Sequence, residues 1–174
     1  MAQLIEALAR RLGRSLTTWP DRDGWRYAAG VGALTLAAMA AVGFASGYYR
    51  LTPTRTEGLA KRLLSVWLVP ALGEEAPFRG LMIPGRDEAA RPPWRALALF
   101  TPIYTAWHVL EARTFLPAAR SHFLRWDFLA CTSILGVGCG LVRWRTRSLW
   151  PAVALHGVAV TIWQTWLGGF VLDD

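Results

Sequence analysis

The sequence predicts an all-α protein, a multi-span transmembrane helical bundle of about five spans that follows an N-terminal amphipathic interfacial helix. Hydrophobic residues make up 53% of the 174 residues and charged residues 18%, whereas soluble domains carry roughly 25% charged residues. The apolar residues form long runs with the charges between them, which argues against disorder and against an ordinary soluble domain. The net charge of +7 is spread over every loop, so we expect no nucleic-acid partner.

Two parts of the chain are expected. Residues 1–26 form an N-terminal amphipathic segment, and residues 27–172 form the transmembrane helical domain. In the first part, leucines such as Leu4 and Leu8 recur at helical spacing with arginines between them, which is typical of a helix on a membrane surface. A plain solvated helix is the alternative. The first long apolar run begins only after Arg26 and is too long for a signal peptide, so we expect no cleaved signal.

Five apolar segments are predicted to span the bilayer, because a helix needs about 20 apolar residues to cross it. The clearest segment carries no charge, with Tyr27 at one end and Tyr48 and Tyr49 at the other, as in an aromatic belt. The predicted spans are residues 27–49, 63–83, 94–111, 126–143 and 149–171.

Basic residues in the flanks predict the orientation. With the N-terminus inside, the inner segments carry eleven Lys and Arg and the outer segments seven, which favours an inner N-terminus and an outer C-terminus. The lipid bilayer is therefore the first expected partner. We expect an integral protein of a prokaryotic inner membrane.

The two cysteines, Cys131 and Cys139, lie eight residues apart in one apolar run. On a helix this separation is about 12 Å, which is too far for a disulfide bond. We therefore expect two buried, reduced thiols.

Ionisable residues inside the predicted spans are the functional signal, because each costs roughly 2.5–3.5 kcal/mol to insert. The second span carries Glu74, Glu75 and Arg79, the third carries His108, and the fifth carries His156. Glu75 and Arg79 are four residues apart, so on a helix they share a face and can form an ion pair. Glu74 lies about 100° around the helix, without that partner, and could act as a general base.

Alternatives remain for each of these charges. Pro77 could end the helix, which would put the cluster in a re-entrant loop or at a helix end. His108 and His156 could each be ordinary buried histidines. Together with Glu74 they could instead activate a water molecule or bind a metal, since one carboxylate and two imidazoles are a common zinc ligand set.

The order and spacing of these residues resemble the CPBP family of intramembrane proteases, the CAAX-protease and bacteriocin-processing family also called Abi. Its signature is Glu-Glu-x-x-x-Arg, then Phe-x-x-x-His, then His-x-x-x-Asn, on separate helices. Residues 74–79 match the first motif, and residues 104–108 match the second with Tyr in place of Phe. Residues 156–160 match the third, except that Val160 replaces the usual Asn. The resemblance covers roughly residues 63–165.

The resemblance implies an intramembrane endopeptidase that hydrolyses a peptide bond of a membrane-associated substrate with a glutamate-activated water. Glu74 would activate the water with help from His108, and His156 would stabilise the oxyanion. Glu75 and Arg79 would hold the first motif in shape. The mechanism would need no cofactor.

The departure at Val160 leaves other functions open. Val160 cannot supply the second oxyanion donor that the usual Asn would provide. Thr161 or Gln164 could supply this donor in its place. One alternative is a non-catalytic membrane binding or immunity-type protein on the same scaffold. Another is a metal-binding membrane protein that uses Glu74, His108 and His156 as ligands.

Overall fold

The regular secondary structure of the protein is helical throughout its described residues. The computed structural model describes residues 2–54 and 56–171, and these contain no strand, which confirms the all-α class. Residue 172, the predicted end of the second domain, lies outside them. Seven α-helices follow in order: α1 (Ala2–Thr17), α2 (Arg22–Ala45), α3 (Leu59–Val66), α4 (Trp94–Arg113), α5 (Arg120–Phe123), α6 (Trp126–Thr146) and α7 (Trp150–Trp166).

Helices α2 and α6 pack closely against each other at the centre of the fold. Gly138 of α6 lies so near Thr35 of α2 that a Cβ at this position would collide with the threonine side chain. Small residues at a crossing allow two backbones to approach in this way. Within the described residues, α2 and α6 are the two helices long and apolar enough to cross a membrane.

Large apolar side chains remain on the outer surface of the bundle. Leu34 of α2 is 74% exposed, and similar side chains cover the outer faces of α3 and α4. An exposed apolar surface of this extent is unusual for a soluble monomer and fits a protein surrounded by lipid. The exposed side chains include Leu34, Phe44, Leu64, Val69, Leu99, Ile103 and Leu110.

The second predicted span is not a regular α-helix. After α3 the helix continues with π-helical winding over Trp67–Glu74 and again over Ala76–Leu81. Pro70 and Pro77 lie within these turns, and each removes a backbone N–H donor. The helix continues past Pro77, so this proline does not end it. Short π-helical turns are frequent at functional sites.

The predicted aromatic belt at the end of the first span is wrong. Helix α2 ends at Ala45, and Gly47, with φ of 69°, turns the chain back on itself. Tyr48 and Tyr49 therefore enter the core, where they are 9% and 6% exposed. The ring of Tyr49 packs against Gly43, so the two tyrosines close the bundle and do not face lipid.

Helix α1 is attached to the bundle by its polar groups. Arg11 Nη1 donates a hydrogen bond of 2.7 Å to the carbonyl of Leu81, at the end of the π-helical stretch. The backbone N–H of Leu149 donates to the carbonyl of Ser15 over 2.8 Å. The segment forms an α-helix over Ala2–Thr17, and its role as an amphipathic helix on the membrane surface stays a prediction.

Both cysteines are buried, unpaired thiols, as the sequence predicts. Cys131 and Cys139 are free and buried. Their thiols face backbone carbonyls of neighbouring helices, Met39 and Ala152, at 3.6 Å each.

Candidate active site

A cavity of about 1170 Å³ lies between the helices that carry the three motifs. Glu74, His108 and His156 all line it, although they come from three separate segments of the chain. The structure thus brings the three predicted catalytic residues to one cavity. Glu111, which the sequence analysis did not consider, lines the same cavity.

Glu74 and His108 face each other across a short gap. Glu74 Oε2 lies 3.7 Å from His108 Nε2, and the two side chains are 14% and 8% exposed. His108 Nδ1 lies 3.1 Å from the carbonyl oxygen of Tyr104. Because a carbonyl only accepts hydrogen bonds, Nδ1 carries the proton and the lone pair of the neutral imidazole lies on Nε2, towards Glu74.

This geometry leaves two acceptors aimed at one space. An ionised Glu74 and a neutral His108 cannot hydrogen-bond each other, and Glu74 Oε2 has no hydrogen-bond partner among the described residues. A water molecule beside both atoms could donate one O–H to each of them. Such a water is held in place and polarised towards loss of a proton, as general-base catalysis requires.

Glu75 joins the first motif to the third. Its Oε1 lies 3.2 Å from Arg79 Nη1, which confirms the expected ion pair, and 2.9 Å from His156 Nδ1. The side chains of all three residues are at most 2% exposed. The guanidinium of Arg79 also stacks on the ring of Tyr104, with Cζ 3.9 Å from the ring centroid.

The partner of His156 determines which of its atoms can act in the cavity. A carboxylate accepts hydrogen bonds, so Nδ1–H of His156 donates to Glu75 and only Nε2 remains for chemistry. The two histidines therefore have different partners even though both line one cavity. His156 is tied to the Glu75–Arg79 pair, and His108 is paired with Glu74.

The side chains that could hold a metal differ from those that the sequence suggested. Ligand atoms of Glu74, His108 and Glu111 lie within 4.8 Å of one another. His156 is not in this group. Glu111 follows His108 by three residues on α4, and this i,i+3 spacing on one helix face is the signal that could have identified it.

Aromatic side chains form the wall around His108. The ring centroids of Tyr104, Phe123 and Phe128 lie 5.0, 5.4 and 5.4 Å from that of the imidazole. Tyr104 occupies the position where the second motif has Phe, and its hydroxyl interacts with the Glu74 carboxylate. The wall limits the directions from which water can reach the gap between Glu74 and His108.

The third motif ends beside the cavity. Val160, at the position of the usual Asn, is half-buried and lines the cavity. Of the two suggested replacements, Gln164 lines the cavity and Thr161 does not. Trp163 also lines it, and its indole Nε1 is buried without a hydrogen-bond partner in the described part of the chain.

The helical fold with its apolar outer surface fits a membrane protein, and Glu74 and His108 face each other at its cavity. A family model described as "Type II CAAX prenyl endopeptidase Rce1-like" matches residues 56–162. The match covers more than half of the chain, so the chain belongs to this family, as the motifs predicted. The membership supports a protease-type function. No curated protein and no solved structure matches the chain.

Proposed function

We propose that the protein is an intramembrane endopeptidase that hydrolyses a peptide bond of a membrane-associated substrate with a water activated by Glu74. The observation that carries the proposal is the 3.7 Å gap between Glu74 Oε2 and His108 Nε2, with the His108 proton held on Nδ1. An ionised Glu74 and the unprotonated Nε2 of His108, which face one space, are suited to take a proton from a water. The family membership supports the same class of reaction.

In the proposed reaction, the water oxygen attacks the carbonyl carbon of the scissile bond while one of its protons passes to Glu74. A tetrahedral intermediate forms, and its oxyanion needs a donor. When the intermediate collapses, the C–N bond breaks and the proton from Glu74 passes to the leaving amine. His108 orients the water through Nε2 and stays in the same tautomer because Tyr104 holds Nδ1–H.

His156 is the proposed oxyanion donor. It donates from Nε2 when the ring is protonated, and the positive ring is then balanced by Glu75 beside Nδ1. Glu75 lies between the positive charge of Arg79 and that of a protonated His156, which limits the cost of burying these charges. Gln164 is the proposed second donor in place of the Asn that Val160 replaces.

We propose that five segments cross the inner membrane of a prokaryote and that the N-terminus lies on the cytoplasmic side. Helices α2 and α6 are the two in the described part of the chain that are long and apolar enough to cross it. The other three segments carry the motifs. The substrate would enter from the membrane, with or without a prenyl group.

Cleavage by the purified protein in liposomes tests the proposal. Two lipid-anchored reporter peptides, one prenylated at a C-terminal Cys-a-a-X sequence and one acylated, identify the substrate class, and mass spectrometry locates the cut. We expect Glu74→Gln and His108→Ala to lose at least about 100-fold in rate. The exposed Glu6→Gln is the matched control and should keep the rate. Full activity of Glu74→Gln would refute the mechanism.

A metal-assisted hydrolysis is the second candidate, and the grouping of Glu74, His108 and Glu111 within 4.8 Å favours it. Two carboxylates and one imidazole are ligands that zinc accepts. A chelator distinguishes the two mechanisms, because the metal-free mechanism keeps its rate after chelation and dialysis. The metal-assisted mechanism would be established if chelation abolished cleavage, zinc restored it, and Glu111→Gln were inactive with or without zinc.

A further inference from the structure

A second cavity, of about 170 Å³, lies at the C-terminal end of α6, away from the motifs. It is closed by the end of α1, by the segment between the π-helical stretch and α4, and by the last turn of α6. No part of the proposed reaction uses it. The residues that line it are Arg14, Thr18, Asp87, Glu88, Arg143 and Arg147.

Arg143 is the unusual member of this cavity. Its side chain is 2% exposed, and its Nε and Nη1 atoms are buried without a hydrogen-bond partner in residues 2–54 and 56–171. Buried guanidinium donors without acceptors are costly, so such a group persists where an acceptor is normally supplied. A guanidinium presents two planar forks of parallel N–H donors, Nε with Nη2 and Nη1 with Nη2, and each matches two oxygens of a carboxylate or a phosphate. The unpartnered Nε and Nη1 of Arg143 therefore leave both forks incomplete.

The carboxylates of the cavity already have partners. Glu88 Oε2 lies 2.7 Å from Arg11 Nε, and Glu88 Oε1 accepts the N–H of Gly85 over 3.2 Å. Asp87 Oδ2 lies 4.0 Å from Arg14 Nη1. Neither carboxylate hydrogen-bonds Arg143, so a fork of this arginine is left for an acceptor from outside the described chain.

The charges at the cavity do not balance. Four arginines, Arg11, Arg14, Arg143 and Arg147, stand against the two carboxylates, which leaves an excess of two positive charges. Arg147 has φ of 61° at the end of α6, a backbone conformation that places a long side chain beside the last helical turn at some conformational cost. An anion of charge −1 or −2 would complete the site.

The position of the cavity indicates where that anion comes from. α6 is one of the two helices able to span the bilayer, and Arg143 and Arg147 lie at its end. α1 covers the cavity, and its outward side chains Leu4 and Ile5 are 64% and 61% exposed, as on a helix that lies against lipid. Basic cavities at the ends of spanning helices are suited to lipid phosphates.

We propose that this cavity binds a phosphate group, with a fork of Arg143 on two of its oxygens and Arg14 and Arg147 balancing its charge. The phosphate belongs to an anionic lipid headgroup or is free in solution. In either case it would link α1 to the end of α6, since Arg14 lies on α1, Arg143 in the last turn of α6 and Arg147 directly after it.

Thermal unfolding of the full-length protein in an uncharged detergent, after lipid removal, tests the proposal. The probes are phosphatidylglycerol, a diacylglycerol with the same chains but no phosphate, and sodium phosphate compared with sodium chloride at equal ionic strength. The variant Arg14→Gln/Arg147→Asn removes two exposed charges and leaves buried Arg143 intact. Asn is chosen at position 147 because it tolerates the left-handed conformation. Arg22→Gln, an exposed arginine at the start of α2, is the matched control.

We expect phosphatidylglycerol to raise the unfolding temperature of the wild type and of Arg22→Gln by about 5 °C or more. The double variant should lose at least half of this rise, and diacylglycerol should give none. A rise with sodium phosphate as well would assign the site to free phosphate, whereas a rise with the lipid alone would assign it to a headgroup. Equal responses of the double variant and the wild type, or no response of the wild type to either phosphate, would overturn the proposal.

Discussion

The buried ion pair of the first motif provides the sharpest test of how the site is held together. Arg79 Nη1 lies 3.2 Å from Glu75 Oε1, and the two side chains are 2% and 0% exposed. The change Arg79→Ala removes the guanidinium from Glu75 and from the face of Tyr104. The carboxylate then keeps the hydrogen bond from His156 Nδ1.

The expected cost follows from the burial of the pair. Removing one partner of a buried ion pair leaves an uncompensated charge and typically costs about 3–5 kcal/mol. For a chain of this size, that loss corresponds to a fall of the unfolding temperature by about 10 °C. By contrast, Arg26 and Asp23 lie 3.0 Å apart with side chains 64% and 75% exposed, and such exposed pairs contribute about 0–1 kcal/mol.

The cysteines supply the assay. Cys131 and Cys139 are buried and are the two cysteines of the chain. A thiol-reactive fluorophore therefore reports unfolding in detergent, and no engineered cysteine is needed. Arg79→Ala is compared with Arg26→Ala, which removes the same side chain from a shorter but exposed pair. The double change Glu75→Gln/Arg79→Met should recover part of the stability, because it removes both charges. Equal unfolding temperatures for Arg79→Ala and Arg26→Ala would refute the reasoning.

Three further predictions concern packing, access and catalysis. Gly138→Ala should destabilise the protein by about 1–3 kcal/mol, because the new methyl group collides with Thr35. Gly30→Ala, with no atom near its Cβ position, should be neutral or slightly stabilising in the same assay. Both thiols should stay unlabelled in the native state for as long as the protein is folded, and rapid native labelling would contradict their burial. Gln164→Leu should lower the cleavage rate by about 100-fold because it removes the proposed second oxyanion donor, and an unchanged rate would count against the proposed oxyanion arrangement.

Local spacing was sufficient to predict part of the site. The i,i+4 relation of Glu75 and Arg79 predicts their ion pair because it requires only a helical segment, and a π-helical turn preserves the contact. The helical class follows from the long apolar runs. Cys131 and Cys139 are buried because the run that contains them is the central helix of the bundle.

Contacts between distant segments could not be predicted from spacing. The hydrogen bond from His156 to Glu75 joins residues 81 positions apart, so it depends on how α7 packs against the π-helical stretch. The inward turn of Tyr48 and Tyr49 depends on the positive φ of Gly47, which hydropathy does not register. Glu111 was missed because it is the last residue of its predicted span, where a charge is usually explained by the membrane surface.

The attachment of α1 has a practical consequence for shortening this chain. Hydropathy alone suggests that the protein could begin at residue 27, where the first apolar run starts. Such a chain would lose the arginine that satisfies the carbonyl of Leu81 and the carbonyl that accepts the N–H of Leu149. One loss lies just after the Glu-Glu-x-x-x-Arg motif and the other just before the helix that carries His156. Helix α1 thus supports the segments that carry Glu75 and His156, and its removal would weaken the packing of both at once.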